Sequence, residues 1–358
     1  MTMTALEPDL LGATLGRVRI DSLLGEGAVG AVYRGHHTTL GIDVAVKVLK
    51  DAGHDPAYRE RFRREARLAA RLEHPGLVRV IDFGEEHGVL FLVMDLVDGF
   101  SLERYMKNRT QAFGEVTVLK LLLSIANAMT AAHRADIVHR DLKPANILIS
   151  RKGQLRVADL GLARENGMPG LTRDKVFVGT PSYMAPESLT AGMNVDHRAD
   201  IYALGVIGYQ LAFGQLPYSG DMQQAIQGHL AGNARWDRPT GCSRQLVRIL
   251  RKLMAHAPED RFQSMGAAAS EMRRLLQTRM RKARSHTAAT SKSSQASGSN
   301  STDFSGFGAF LESRMGSYTS EHDGGQVVHT TFRERMLVWA LLAGVVIVIV
   351  MGYLASAH

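Results

Sequence analysis

Residues 139–149 read His-Arg-Asp-Leu-Lys-Pro-Ala-Asn-Ile-Leu-Ile, and the organisation of the rest of the chain follows from them. Asp141, Lys143 and Asn146 stand here between two apolar runs. Residues 131–135 read as the end of a helix and 146–150 as a short β-rich run, which leaves these polar groups on the connecting loop. Loops carried by a rigid scaffold are where binding and chemistry concentrate.

The chain has 358 residues, 45% hydrophobic and 22% charged, a globular composition long enough for one large or two ordinary domains. The lone Cys242 cannot form an internal disulfide, so nothing asks for an oxidising compartment. Residues 1–15 lack a basic start and a long apolar run and contain Glu7 and Asp9, unlike a secretory signal. The formal charge of +8 comes largely from Arg273, Arg274, Arg279, Arg281, Lys282, Arg284 and Lys292, a run with no acid between its members. It reads either as a solvated helix end and tail or as a patch drawn to an anionic membrane surface. A nucleic-acid module is disfavoured, because no aromatic residues interleave with these charges.

Near the N-terminus, residues 18–24 alternate as a strand does and lead into Gly25-Glu-Gly27-Ala-Val-Gly30, a turn whose glycines let backbone approach phosphate closely. A dinucleotide-binding fold uses the same pattern, and Asp43 stands near the distance expected of a ribose partner. That fold needs a helix opening at the last glycine, whereas residues 31–34 and 44–49 are β-branched-rich strands joined by a turn at Gly41. In the second of these strands Lys47 is flanked by apolar residues, and a buried ammonium is costly unless an anion meets it. Residues 59–72 are strongly helical, with Glu65 expected on the inward side among Phe62, Leu68 and Leu72. Residues 78–83 and 89–94 read as a hairpin, 95–99 break the pattern, and 101–105 and 116–135 are helical.

Taken in order, these segments resemble the eukaryotic-type serine/threonine protein kinases found in bacteria. The resemblance adds Asp159-Leu160-Gly161, Ala185-Pro186-Glu187, Gly179-Thr180-Pro181, Asp200 within a central helix and Arg261 as partner of Glu187. The usual triplet has Phe where Leu160 stands, a change that keeps an apolar plug and leaves Asp159 as ligand. An α+β, two-lobed kinase fold is implied, with a small β-rich N-lobe and a large helical C-lobe. So is phosphoryl transfer from ATP to serine or threonine hydroxyls of protein substrates. By resemblance Asp141 accepts the hydroxyl proton, Lys143 offsets charge at the γ-phosphate, and Asn146 and Asp159 hold magnesium, with manganese as an alternative. Gly25, Gly27 and Gly30 cover the phosphates, and Lys47, held by Glu65, grips them. Leu24, Val32, Ala45 and Leu148 enclose the adenine, whose edge meets the backbone of Asp95 and Val97, with Met94 setting pocket depth. Arg140 beside the catalytic aspartate needs an anion, for which phosphate on Thr172 is the candidate, and Thr180 belongs to the substrate platform. A catalytically weak pseudokinase serving as a membrane-bound scaffold is the alternative; loss of Lys47, Asp141 or Asp159 would mark it, and none is lost.

The domain organisation expected is an N-terminal extension over 1–15, a kinase domain over 16–276, a disordered linker over 277–335, a transmembrane helix over 336–355 and a tail over 356–358. The linker is read from its Ser, Thr, Gly and charge content. Residues 336–355 carry no charge and as a helix span about 30 Å, the thickness of a bilayer core. Arg333 and Arg335 precede the stretch and Trp339 and Tyr353 lie near its ends, which orients the kinase domain to the cytoplasm. The expected partners are therefore ATP, protein substrates, the membrane and, for autophosphorylation, a transient second copy.

Overall fold

The computed structural model describes residues 10–27, 30–49, 56–86, 88–107, 109, 111–161, 181–190, 195–237, 239 and 241–290, with side chains up to residue 282. Thr172, Thr180, residues 277–335 beyond 290 and the apolar stretch 336–355 lie outside them in whole or in part. The strands are β1 (Thr14–Leu15), β2 (Val18–Gly27), β3 (Gly30–His37), β4 (Ile42–Leu49), β5 (Val80–Glu86) and β6 (Val89–Asp95), all antiparallel in the order β1-β2-β3-β4-β6-β5. Helix α1 (Pro56–Ala70) interrupts their sequence between β4 and β5.

Alternation along β4 explains how this sheet serves a site. Val44, Val46 and Val48 join a core cluster on one face with Val18, Ile20, Phe91 and Val93. Ala45 and Leu49 face the other way, into a cluster with Phe62, Ala66 and Ala69 of α1. Because side chains in a strand alternate with period two, Lys47 is placed on the face of Ala45 and Leu49. The buried stripe of α1 is Phe62, Ala66 and Ala69, one helical repeat after another, whereas Leu68 is 40% exposed. Glu65 accordingly sits half-buried at the margin of that stripe rather than within it.

The second part is helical: α2 (Leu102–Lys107), α3 (Glu115–Arg134), α4 (Arg198–Phe213), α5 (Met222–Ala231), α6 (Arg244–Leu253) and α7 (Met265–Thr290). A three-stranded sheet, β7 (Gly99–Ser101), β8 (Ile147–Ser150) and β9 (Leu155–Val157), runs in that order beside them. Helix α4 is apolar nearly all round and correspondingly buried nearly all round. Helix α3 is long and apolar enough to cross a membrane by composition, yet Leu119, Leu122, Ile125 and Met129 are fully buried in this core.

Two boundaries differ from the expectation. Thr14 and Leu15 pair with β2, so the ordered fold begins before residue 16. Helix α7 continues to Thr290, where a linker was expected from 277. Arg279 from the basic run donates to Glu115 Oε1 at 2.8 Å, and Arg273 to Asn127 at 3.2 Å. Part of the positive run thus ties α7 to α3 instead of standing free in solvent.

Candidate active site

The loop between α3 and β8 is fixed from beneath by Asp200, on the first turn of α4. Its Oδ2 accepts from the backbone N–H of His139 and its Oδ1 from that of Arg140, both at 2.9 Å, while His133 Nε2 stands 2.8 Å from Oδ2. Asp200 is 1% exposed. Burial opposes its charge, but hydrogen bonds and the neighbouring His133 and His139 hold its carboxyl below the usual carboxylate range. His139, itself buried, donates from Nε2 to the Ala158 carbonyl at 2.9 Å, which leaves Nδ1 to accept from the Asp141 N–H at 3.3 Å. One imidazole thereby connects the loop carrying Asp141 to the segment carrying Asp159.

On this support Lys143 Nζ lies 2.9 Å from Asp141 Oδ2, and Asn146 Nδ2 donates to the Asp141 carbonyl at 2.9 Å. Across from them Lys47 Nζ lies 2.9 Å from Asp159 Oδ1. The non-glycine residues with positive φ among those described are Asp136, Arg140 and Asp159, each near 59°. Two of them belong to the site loops, and such backbone costs roughly 1–3 kcal/mol per residue unless surroundings enforce it. Asp200 and the Lys47 contact supply that enforcement.

The expected Lys47–Glu65 pairing is not the one the structure holds. Lys47 meets Asp159, and Glu65 makes no ion pair among the described residues. Burial pushes the Glu65 carboxyl up, opposed by the charges of Arg140, Arg64 and Arg61. The marginal position of Glu65 on α1 is the physical reason.

Val32, Ala45, Leu148 and Val97 come together in one apolar cluster with Met94 and Ala158, so both lobes contribute to its walls. Leu24 stays outside that cluster, 52% exposed on β2. The Asp95 N–H is taken by the Arg79 carbonyl at 3.0 Å, and its side chain pairs with Arg156 at 3.2 Å. A Cβ on Gly30 would stand 2.1 Å from the Val48 carbonyl oxygen, so packing alone demands glycine there. A Cβ on Gly25 would meet nothing within 4 Å and one on Gly27 only the Gly30 carbonyl at 3.9 Å, so no packing explains those two glycines.

The donor set suits a hard cation. Asn146 spends its N–H on Asp141, leaving a side-chain oxygen, and Asp159 offers a carboxylate. Magnesium is usually held by one or two such groups plus phosphate and water.

Sequence reasoning missed His229 on α5. It is fully buried, donates from Nε2 to the Ser182 carbonyl at 3.0 Å and accepts at Nδ1 from the Tyr202 hydroxyl at 2.8 Å. Burial lowers its pKa to about 4, so the imidazole is neutral and holds the turn Pro181–Tyr183 against α4. Its partners lie 27 and 47 residues away, beyond any local pattern.

A β-rich sheet and a helical core, with Lys47, Asp141, Asn146 and Asp159 on the segments between them, define a two-lobed fold. Residues 18–273 match the protein kinase domain, and the chain belongs to that family. It is 40% identical over 227 residues to a probable serine/threonine-protein kinase of Streptomyces coelicolor, covering 62% of this chain and 33% of that one. To the serine/threonine-protein kinase PknH of Mycobacterium tuberculosis it is 37% identical over 272 residues, 74% of this chain and 42% of PknH. To PknA of the same organism it is 40% identical over 218 residues, 59% of this chain and 50% of PknA. The chain spans between a third and a half of the length of these relatives.

Proposed function

We propose that the protein transfers the γ-phosphoryl group of ATP to serine or threonine hydroxyls of other proteins. The observation that carries this reading is the convergence of Asp141, bonded by Lys143 and Asn146, with Asp159, bonded by Lys47. Phosphoryl transfer passes through a loose transition state, so catalysis is mostly positioning and charge neutralisation. Asp141 orients the acceptor hydroxyl and takes its proton, while Lys143 spreads positive charge over the transferring group. Lys47 exchanges its carboxylate partner for phosphate oxygens, and Gly25 and Gly27 close over them without side-chain obstruction. Asn146 and Asp159 present oxygens to magnesium, which when bound neutralises the phosphate charge.

The test is incubation of the purified chain with labelled ATP, magnesium and a generic protein acceptor. Label on serine or threonine that falls by at least about a hundredfold in Asp141→Asn is expected, as for loss of a positioned base. Absence of label from the unaltered protein would turn the reading towards a scaffold. Phosphate on Thr172, with the Arg140 guanidinium as its partner, is the proposed activating mark, laid down by a transiently bound second copy. Mass spectrometry of the same incubated sample checks it, and an unmodified Thr172 would remove that role.

The uncharged stretch 336–355 supports a single-pass membrane anchor with the kinase domain on the cytoplasmic side. Deleting residues 337–358 is expected to move the protein to the soluble fraction. Continued sedimentation of the truncated chain with membranes at high salt would refute the anchor. Release by salt alone would assign binding to the basic run and anionic lipid.

A further inference from the structure

Beside the catalytic loop lies a cavity of about 310 Å³ that the roles above leave unused. Pro144, directly after Lys143, forms part of its wall, and so do Tyr183 and Gln210. Tyr183 donates its hydroxyl to Gln210 Oε1 at 2.7 Å. The same tyrosine also lines the crevice around Asp141, so the two spaces share a wall. An extended peptide advances about 3.3 Å per residue. A substrate whose hydroxyl reaches Asp141 therefore passes this cavity within a few residues of its acceptor.

The charges around the cavity are unbalanced. Glu103 on α2 pairs with Lys107 one turn later at 3.3 Å, and these two cancel. Arg109 has no carboxylate among the described residues. Its guanidinium lies 4.4 Å from the centroid of the Phe113 ring and 5.9 Å from that of Tyr105, and its Nε is buried with no acceptor. Stacking on rings engages the face of a guanidinium and leaves its in-plane N–H groups for an acceptor. The cavity thus carries one positive charge held in place by packing rather than by a counter-ion. A basic substrate side chain would meet a like charge there, and an apolar one would leave the donor unsatisfied.

We propose that this cavity selects protein substrates carrying an acidic side chain near the phosphorylated residue, with Arg109 as the group that reads the carboxylate. The inference rests on the kinase reading above and adds the class of substrate. The fork of N–H groups on arginine matches the two oxygens of a carboxylate, so position along the substrate matters as well as charge.

The experiment uses the full chain, magnesium-ATP and neutral peptides with one threonine, in which a single Glu is walked through each position on either side. The quantity read is the ratio of kcat/KM for each Glu peptide to its Gln counterpart. In the unaltered protein one or two neighbouring positions are expected to give a ratio of about ten, as for a charge-assisted pair. Arg109→Gln should bring that ratio below about two, Arg109→Lys should keep part of it, and Arg109→Glu should favour Lys at the same position. A ratio near one at every position, a preference that survives in Arg109→Gln, or selection of phosphothreonine but not Glu would each overturn the proposal. If no peptide is phosphorylated, the kinase reading fails separately. Calorimetric affinities of the Glu and Gln peptides then decide the pocket, and equal affinities overturn it.

Discussion

Lys47→Met is expected to reduce phosphoryl transfer to less than about a tenth of the unaltered rate, with a loss of at least a hundredfold the central expectation. Strand alternation points Lys47 to the face shared by Ala45 and Leu49, and its ammonium ends 2.9 Å from Asp159. Methionine keeps the length and apolar bulk of the side chain, so the substitution removes charge and little packing. Lys47 and Asp159 are 20% and 27% exposed, and an ion pair in contact with solvent contributes only about 1 kcal/mol or less. The urea midpoint should therefore move little while activity collapses. Glu65→Gln should cost less, because Glu65 does not contact Lys47 in this arrangement. Initial rates of label transfer, together with circular dichroism of each variant, check both statements. Activity above a tenth in Lys47→Met would remove Lys47 from the phosphate-binding role.

What the sequence discloses about this site depends on how local each determinant is. The placement of Lys47 follows from period-two alternation over a few residues, and β4 shows it on the inward face with Ala45 and Leu49. The loop with Asp141, Lys143 and Asn146 is likewise local, since all three lie within one turn and a 3-10 segment, Pro144–Asn146. The partner of Lys47 is not local. Glu65 and Asp159 are both acids on segments that pack near β4, and only the rotation of α1 decides between them. A stripe drawn through Leu68 centres Glu65 on the inward face, whereas the stripe through Ala69 leaves Glu65 at its margin. The continuation of α7 to Thr290 was hidden for a similar reason. Its basic residues read as a solvated tail or a patch drawn to an anionic membrane, and neither reading shows that Glu115, 164 residues earlier in the chain, receives Arg279. His229 carries no motif at all, and its partners are brought to it by tertiary packing; Arg109 stacks on rings four residues to either side, in a cavity that tertiary packing completes.

Arg261→Met is expected to destabilise the fold by about 3–5 kcal/mol, the usual result of leaving one member of a buried ion pair alone. Arg261 is 2% and Glu187 6% exposed. Two parallel bonds join them, Nη1 to Oε1 at 2.6 Å and Nη2 to Oε2 at 2.8 Å. The guanidinium also donates to the carbonyls of Ala255 at 2.7 Å, Arg198 at 3.0 Å and His256 at 2.8 Å, and stands 4.9 Å from the Tyr202 ring centroid. Methionine fills much of the volume but satisfies none of these acceptors, and Glu187 retains a charge with no counter-ion. Adding Glu187→Gln removes that charge, so the double variant should regain part of the loss. Urea unfolding of the purified chain measures both. Should the single variant fail to accumulate in soluble form, recovery of soluble protein in the double variant provides the same comparison. A loss below about 1 kcal/mol, or a double variant no more stable than the single one, would mean that the pair is not anchoring this region. Glu187 is the second residue of the turn Pro186–Leu189, four residues beyond the end of the turn Pro181–Tyr183 that His229 holds. Tyr202 touches both anchors, through its hydroxyl to His229 and its ring to Arg261. Loosening the Arg261 anchor should consequently raise KM for the protein substrate more than KM for ATP.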